Sequence, residues 1–252
     1  MKHIASCSFG KDSMATILLA LEHGEPLDEA VYCEVMFDKD ISGEIPEHRD
    51  FIYEKGIPFL ERSGVKVTIL RSSMTYLESF YRVLKKGAHA GQINAWPLCG
   101  KCCIQRDCKL PPINAYRKSL SEAVVQYIGI AYDEQERLLR LDGTKVSLLE
   151  KYRKTEADAV ELCKRAGLYS PMYAFTNRGG CFFCPNAKRR ELRHLYDHHP
   201  DLWARLLACQ QAENKVTEFF NRNERFDEID AEFRHQDRQY TLFSVPEYQV
   251  AA

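Results

Sequence analysis

The chain has 252 residues, 45% of them hydrophobic and 28% charged, and carries a formal net charge of −1. That length can bury a sizeable core, either in one large domain or in a domain with an appended lobe, and the near-neutral balance hides an uneven distribution of charge, basic in the middle of the chain and acidic from Gln210 to Asp237. No apolar run approaches the roughly 18 residues that span a bilayer, and the first residues run directly into a strand-like segment, so a cytoplasmic protein with no membrane partner is expected.

Short apolar, β-branched runs at residues 2–6, 29–36, 65–70 and 123–130 predict strands, with helical patterns between them. The helix at 12–23 places Met14, Ile17, Leu18 and Leu21 on one face, and that at 47–64 places Phe51, Ile52, Phe59 and Leu60 at near-helical spacing. The alternation predicts an α/β fold, a mostly parallel twisted sheet with helices on both faces. Beyond residue 130 the pattern is helical, at 133–141, 155–166, 186–198, 202–214 and 224–236. Thr155 and Asp158 predict a capping box, Gly167 a helix stop, and Pro200 a break between helices. The expected division is an α/β domain at 1–145, which includes the first cysteine cluster, and a helical part at 146–252 whose last residues, 244–252, are frayed.

The most informative segment is Ser8-Phe9-Gly10-Lys11-Asp12-Ser13, between the first strand and the first helix. A strand that turns sharply into a helix leaves backbone N–H groups unpaired at the positive end of the helix dipole, and flanking hydroxyls add donors, so the loop suits a polyphosphate. The segment has one glycine, and Asp12 follows Lys11, which excludes a Walker A loop. Ligands in such sheets bind at the carboxyl ends of the strands, where this loop falls.

Ten cysteines sort into two kinds. Cys7, Cys33, Cys163 and Cys209 stand singly in apolar or helical stretches and read as small buried hydrophobes. Cys99, Cys102, Cys103 and Cys108, then Cys181 and Cys184, form two clusters on segments flanked by Gly and Pro, as a chelating turn needs. Four thiolates could hold zinc or an iron–sulfur cluster equally well by ligand count. Between Ser79 and Ser121 there are also eight Lys or Arg against one acid, which favours an anionic partner.

The segment at 8–13, with a strand before it, an amphipathic helix after it and a second strand ending at Val35-Met36-Phe37-Asp38, resembles the PP-loop, S-G-G-x-D-S, of the ATP pyrophosphatase superfamily. Phe9 stands where that pattern has glycine. The cysteine pattern, Cys102-Cys103 far upstream of Cys181-Phe182-Phe183-Cys184-Pro185, resembles the cluster signature of iron–sulfur adenylylsulfate reductases. The run from Cys103 to Ile113 looks like that of phage and bacterial proteins of the phosphoadenosine phosphosulfate (PAPS) reductase family.

The resemblance implies an adenine nucleotide alpha hydrolase-like fold, with ATP and Mg2+ held by Ser8, Phe9, Gly10, Lys11, Asp12 and Ser13, and the adenine near Met36. Lys11, Asp12 and Asp133 are its catalytic candidates. Gly129, Asp133 and Glu134 match a G-x-R-x-D-E turn beside the nucleotide, with Ala131 in place of its arginine, and Arg137 joins them as a site candidate. The implied ligands of a [4Fe-4S] cluster, or of zinc, are Cys102, Cys108, Cys181 and Cys184, with Cys103 and Cys99 in reserve.

The expected activity is cleavage of ATP between its α- and β-phosphates to adenylate an acceptor, nucleic acid being one candidate, with a sulfur donor protein as a further partner in thiolation chemistry. One alternative is a sulfonucleotide reductase. It is opposed by the absence of the nucleophilic cysteine such enzymes carry near the chain end, since the last cysteine here is Cys209. The other is a binding module without turnover, held together by structural zinc.

Overall fold

The computed structural model describes residues 1–97 and 102–243. The reserve ligand Cys99 and the expected frayed tail lie outside the described residues. The chain forms two compact units, Met1–Ser79 with Cys103–Phe182, and Phe80–Cys102 with Phe183–Ala252.

The first unit is built on a five-stranded sheet in the order β3-β2-β1-β4-β5. Its strands are β1 (Lys2–Ser6), β2 (Glu29–Glu34), β3 (Lys66–Arg71), β4 (Val124–Tyr127) and β5 (Lys145–Val146). All of its pairings are parallel, so the α/β expectation holds. β2 stops two residues short of the predicted end at Met36, because the chain turns back there. Phe37 N–H donates to Ile41 O at 2.7 Å, Gly43 N–H donates to Val35 O at 2.7 Å, and Asp38 Oδ1 accepts from Asp40 and Ile41 N–H. The two residues of β5 are too few to carry a periodic signal, and the strand was not predicted.

The unit's helices are α1 (Lys11–His23), α2 (Pro46–Phe51), α3 (Ile57–Arg62), α4 (Tyr76–Phe80), at whose last residue the second unit begins, α5 (Leu110–Ser119), α6 (Gln135–Leu138), α7 (Leu148–Lys151) and α8 (Glu156–Arg165). Successive strand residues point to opposite faces. Ala5, Ala30, Tyr32 and Tyr127 join Met14 and Ile17 of α1, Leu148 of α7 and Cys163 of α8 in one core. Ile4, Ser6, Val31, Cys33, Val124 and Gln126 face α5 across a cavity instead. Helices thus cover both faces.

Leu21, expected on the buried face of α1, is 37% exposed. α1 packs against α7 and α8 as well as the sheet, so its buried stripe is rotated to take in Ala15, Leu19 and Ala20.

The helix predicted at 47–64 is broken into α2 and α3 by a π-turn, Ile52–Gly56. Pro58 offers no N–H to the carbonyl of Glu54, and its ring crowds that carbonyl, which the wider turn relieves. The same device recurs before α5, where the π-turn Gln105–Lys109 precedes Pro111 and Pro112. The carbonyl of Asp107, which Pro111 cannot serve, accepts from Ser72 Oγ at 3.3 Å. Cys103 and Cys108 therefore lie on a helical segment rather than on the chelating turn expected, because prolines are tolerated in a first helical turn. The helix predicted at 133–141 shrinks to α6, since Glu134 bonds back to Ala131 N–H at 3.0 Å to close a turn first. The capping box forms as expected, with Thr155 and Asp158 bonded reciprocally at the start of α8.

In the second unit, α9 (Arg189–His198), α10 (Pro200–Gln210) and α11 (Phe226–Phe243) surround aromatic side chains. Trp96 lies edge-on to Phe80 and Phe220, and Trp203 packs against Phe226 and Phe233. Each buried indole finds an acceptor, Trp96 Nε1–H on Gln210 Oε1 at 3.2 Å and Trp203 Nε1–H on Asp230 Oδ1 at 2.8 Å. α9 begins three residues after the expected start, and α11 runs beyond the expected end at residue 236.

Candidate functional site

In the parallel sheet the chain runs from β1 outward to β2 and β3, then returns past β1 to β4 on the other side. The strand order reverses between β1 and β4, and the crevice at their carboxyl ends is where doubly wound sheets take ligands. Two segments meet there, residues 7–13 after β1 and residues 128–134 after β4. An ideal Cβ on Gly129 would stand 2.7 Å from both Asp12 C and Ser13 N. Only glycine permits that approach.

Phe9 holds the turn. Its φ of 56° lies in the left-handed region that costs a bulky residue roughly 1–2 kcal/mol. Its ring is 1% exposed and meets Tyr32 edge-on at 5.4 Å. Gly56, in the π-turn, makes room, since a Cβ there would fall 2.5 Å from Phe9 Cδ1.

The loop is tied from three sides. Ser13 Oγ donates to Gly10 O at 3.0 Å and accepts from Ser8 N–H at 3.3 Å. His48, buried on α2, meets Ser8 O through Nε2 at 3.0 Å and Ser170 Oγ through Nδ1 at 2.9 Å. Because a carbonyl only accepts, Nε2 carries a proton and donates it to Ser8 O. Lys11 N–H donates to Tyr173 Oη at 2.9 Å. The next two amides, of Asp12 and Ser13, lie in the first turn of α1, where no helical carbonyl can serve them.

The charges at the loop are coupled. Lys11 Nζ lies 2.9 Å from Asp12 Oδ1 and 3.4 Å from Glu156 Oε1. Burial pushes the Asp12 carboxyl above its usual range despite Lys11, with Glu156 and Glu134 adding repulsion. Burial opposes the charge on Lys11, yet pairing with Asp12 and Glu156 holds its pKa above the ordinary lysine value. An acidic group that carries this cost suits a cation ligand.

The turn after β4 is held by local contacts. Asp133 is exposed, and its Oδ1 accepts from Glu156 N–H at 3.1 Å, which caps α8. Glu134 pairs with Arg137. Ala131 is wholly buried, and its N–H donates to Glu134 Oε2 at 3.0 Å. Met36 is half-buried, and its carbonyl accepts from Tyr76 N–H at 2.8 Å.

Beside the loop, between the sheet and α5, lies a cavity of about 140 Å³. Cys7 and Ser8 form its loop side, Ile4, Val31 and Val124 give it apolar walls, and Lys109 and Arg117 line it from the helix side.

The candidate metal ligands are distributed over both units. Cys103, Cys108 and Cys181 belong to the first, and Cys102 and Cys184 to the second. Cys181 pairs with Glu44 in an isolated antiparallel bridge, and the turn follows it at Phe182. Cys108 is fully buried, its thiol donating to Thr75 O at 3.6 Å. Among the described residues of the first unit, no three thiol, imidazole or carboxylate donors come within 4.8 Å of one another. By donor type the thiols suit a soft metal, but the first unit alone offers no closed site. The single cysteines behave as expected of buried hydrophobes. Burial pushes the thiols of Cys7, Cys163 and Cys209 up to about 12 and that of Cys33 up to about 11. Cys209, the last cysteine, therefore carries no thiolate near neutrality.

Sequence reasoning missed His48, Tyr173, Ser170 and Glu156. Each touches the loop or its partners from a residue distant in the chain, as Tyr173 touches Lys11 across 162 positions, and no local pattern marks such a contact.

No family model and no curated protein matches the chain. Among solved structures, the U34-tRNA thiolase NcsA from Methanococcus maripaludis, with its [4Fe-4S] cluster, is similar at a TM-score of 0.40 and 14% sequence identity, over 94% of this chain and 71% of that one.

Proposed function

We propose that the protein is an ATP pyrophosphatase that adenylates an acceptor. One observation carries this reading: the loop after β1 stands at the switch point of the sheet, with the amides of Asp12 and Ser13 at a helix N-terminus and Gly129 packed against them. The polyphosphate lies on these amides and the Ser8 and Ser13 hydroxyls, and the nucleoside enters the adjoining apolar cavity. An acceptor oxygen attacks the α-phosphorus, the bond from that phosphorus to the α–β bridging oxygen breaks, and the electron pair leaves with pyrophosphate. Lys11 then moves from Asp12 to the departing pyrophosphate and stabilises its charge. Asp12 is the carboxylate that would hold Mg2+, which when bound neutralises charge on the polyphosphate.

Lys109 and Arg117, on the cavity wall, favour an anionic acceptor, for which nucleic acid is our candidate. A donor sulfur attacking the adenylated carbon would release AMP and complete a thiolation. The buried Cys209 disfavours the sulfonucleotide reductase alternative. Incubation with radiolabelled MgATP and total RNA tests the proposal. Pyrophosphate and adenylated RNA are the expected products, with AMP released only once a sulfur donor is added, and ADP with phosphate would overturn it.

A further inference from the structure

Tyr173 lies outside the loop, on the short 3-10 helix Pro171–Ala174. Ser170 at the start of that helix is bonded to His48, which in turn holds the Ser8 carbonyl. Its ring stacks on Tyr169 at 4.8 Å, with the planes 22° apart. Its hydroxyl is therefore fixed relative to the loop from more than one side. The hydroxyl oxygen accepts from Lys11 N–H at 2.9 Å and stands 3.1 Å from where a Cβ on Gly10 would be. A side chain at position 10 would push it away, so glycine there admits the hydroxyl to the loop.

An oxygen accepting from the first amide of a helix stands where an anion's oxygen stands when a helix N-terminus binds phosphate. A phenol differs in keeping a proton of its own to give. Burial raises the Tyr173 pKa, so that proton stays on through neutral pH. No acceptor for it is found among the described residues.

We propose that Tyr173 is a phosphate-binding residue of this site, which accepts from Lys11 N–H and donates its hydroxyl hydrogen to a phosphate oxygen bound at residues 10–13. The assignment rests on the reading of the loop as a polyphosphate site, and it adds a contact from a segment the loop motif does not include.

The test is calorimetric titration of the full chain with MgATP, with pyrophosphate and with adenosine, for the unmodified protein and for Tyr173→Phe. Loss of a hydrogen bond to a charged group weakens binding by about 10- to 100-fold. That loss is expected for MgATP and pyrophosphate, with adenosine affinity unchanged. Gly10→Ala provides a second route, since its Cβ crowds the hydroxyl away from the loop without removing it from the protein. Its penalty should be smaller in the Tyr173→Phe background, because the two changes remove one interaction. Equal MgATP affinity in Tyr173→Phe and the unmodified protein overturns the assignment, as does an equal weakening of adenosine and MgATP, which marks a structural role. Failure of the unmodified protein to bind MgATP or pyrophosphate overturns the polyphosphate reading and this assignment together.

Discussion

Phe9 occupies a backbone conformation that glycine adopts freely, and the residue survives there because its ring is buried. Two effects oppose each other. The left-handed backbone costs roughly 1–2 kcal/mol, whereas removing a buried phenylalanine ring costs about 3–5 kcal/mol. Burial wins, so Phe9→Gly should lower stability by about 2–3 kcal/mol in urea unfolding and leave the loop able to bind pyrophosphate. A variant more stable than the parent would show that backbone strain dominates. The sequence revealed that Phe9 replaced a glycine. It did not reveal the compensation, which comes from Tyr32 and from the space at Gly56, residues whose link to position 9 exists only in the folded chain.

At the scale of elements, β2 begins with a buried carboxylate. Glu29 pairs with Lys2 and Lys66 and accepts from Thr68 and from Tyr116 Oη, the last at 2.6 Å. Burial opposes its charge, but these donors outweigh burial and carry its pKa from the ordinary 4.5 down to about 2. A carboxyl lowered on folding contributes stability that is fully present above its unfolded pKa and is lost as pH falls through the folded one. The contribution should disappear between about pH 4.5 and pH 2. Glu29→Gln should be less stable at neutral pH and show a flatter stability profile across that window in urea melts; parallel profiles would remove Glu29 as the cause.

The first four strands and the longer helices, such as α1 and α8, were legible because apolar periodicity marks them, whereas β5, α4, α5 and α7 were not. Element ends were less legible. The π-turns before Pro58 and Pro111, and the early stop of β2, depend on where carbonyls find donors, as Asp107 O does on Ser72, and hydropathy carries no record of that.

At the scale of the whole molecule, the two cysteine clusters were plain in the sequence, whereas the partition of their ligands was not. Cys102 and Cys184 fall in one unit, and Cys103, Cys108 and Cys181 in the other. Protein purified anaerobically should contain about four irons per chain, as expected for a cluster held by thiolates. Stoichiometric zinc without iron would favour a structural metal.

The loop was the most legible part of the candidate site, because strand, turn and helix are contiguous in the chain; its supports at His48, Gly129 and Tyr173 come from elsewhere in the first unit. The central claim is that this loop holds the polyphosphate of ATP. Its most direct test is calorimetric titration of MgATP into the full chain and into Asp12→Ala and Ser13→Ala, each checked for an unchanged circular dichroism spectrum. The account predicts saturable binding by the parent and at least about tenfold weaker binding by each variant, the loss of roughly 1.4 kcal/mol or more of interaction with the phosphates. Equal affinity in parent and variants, or no binding by the parent, would contradict it.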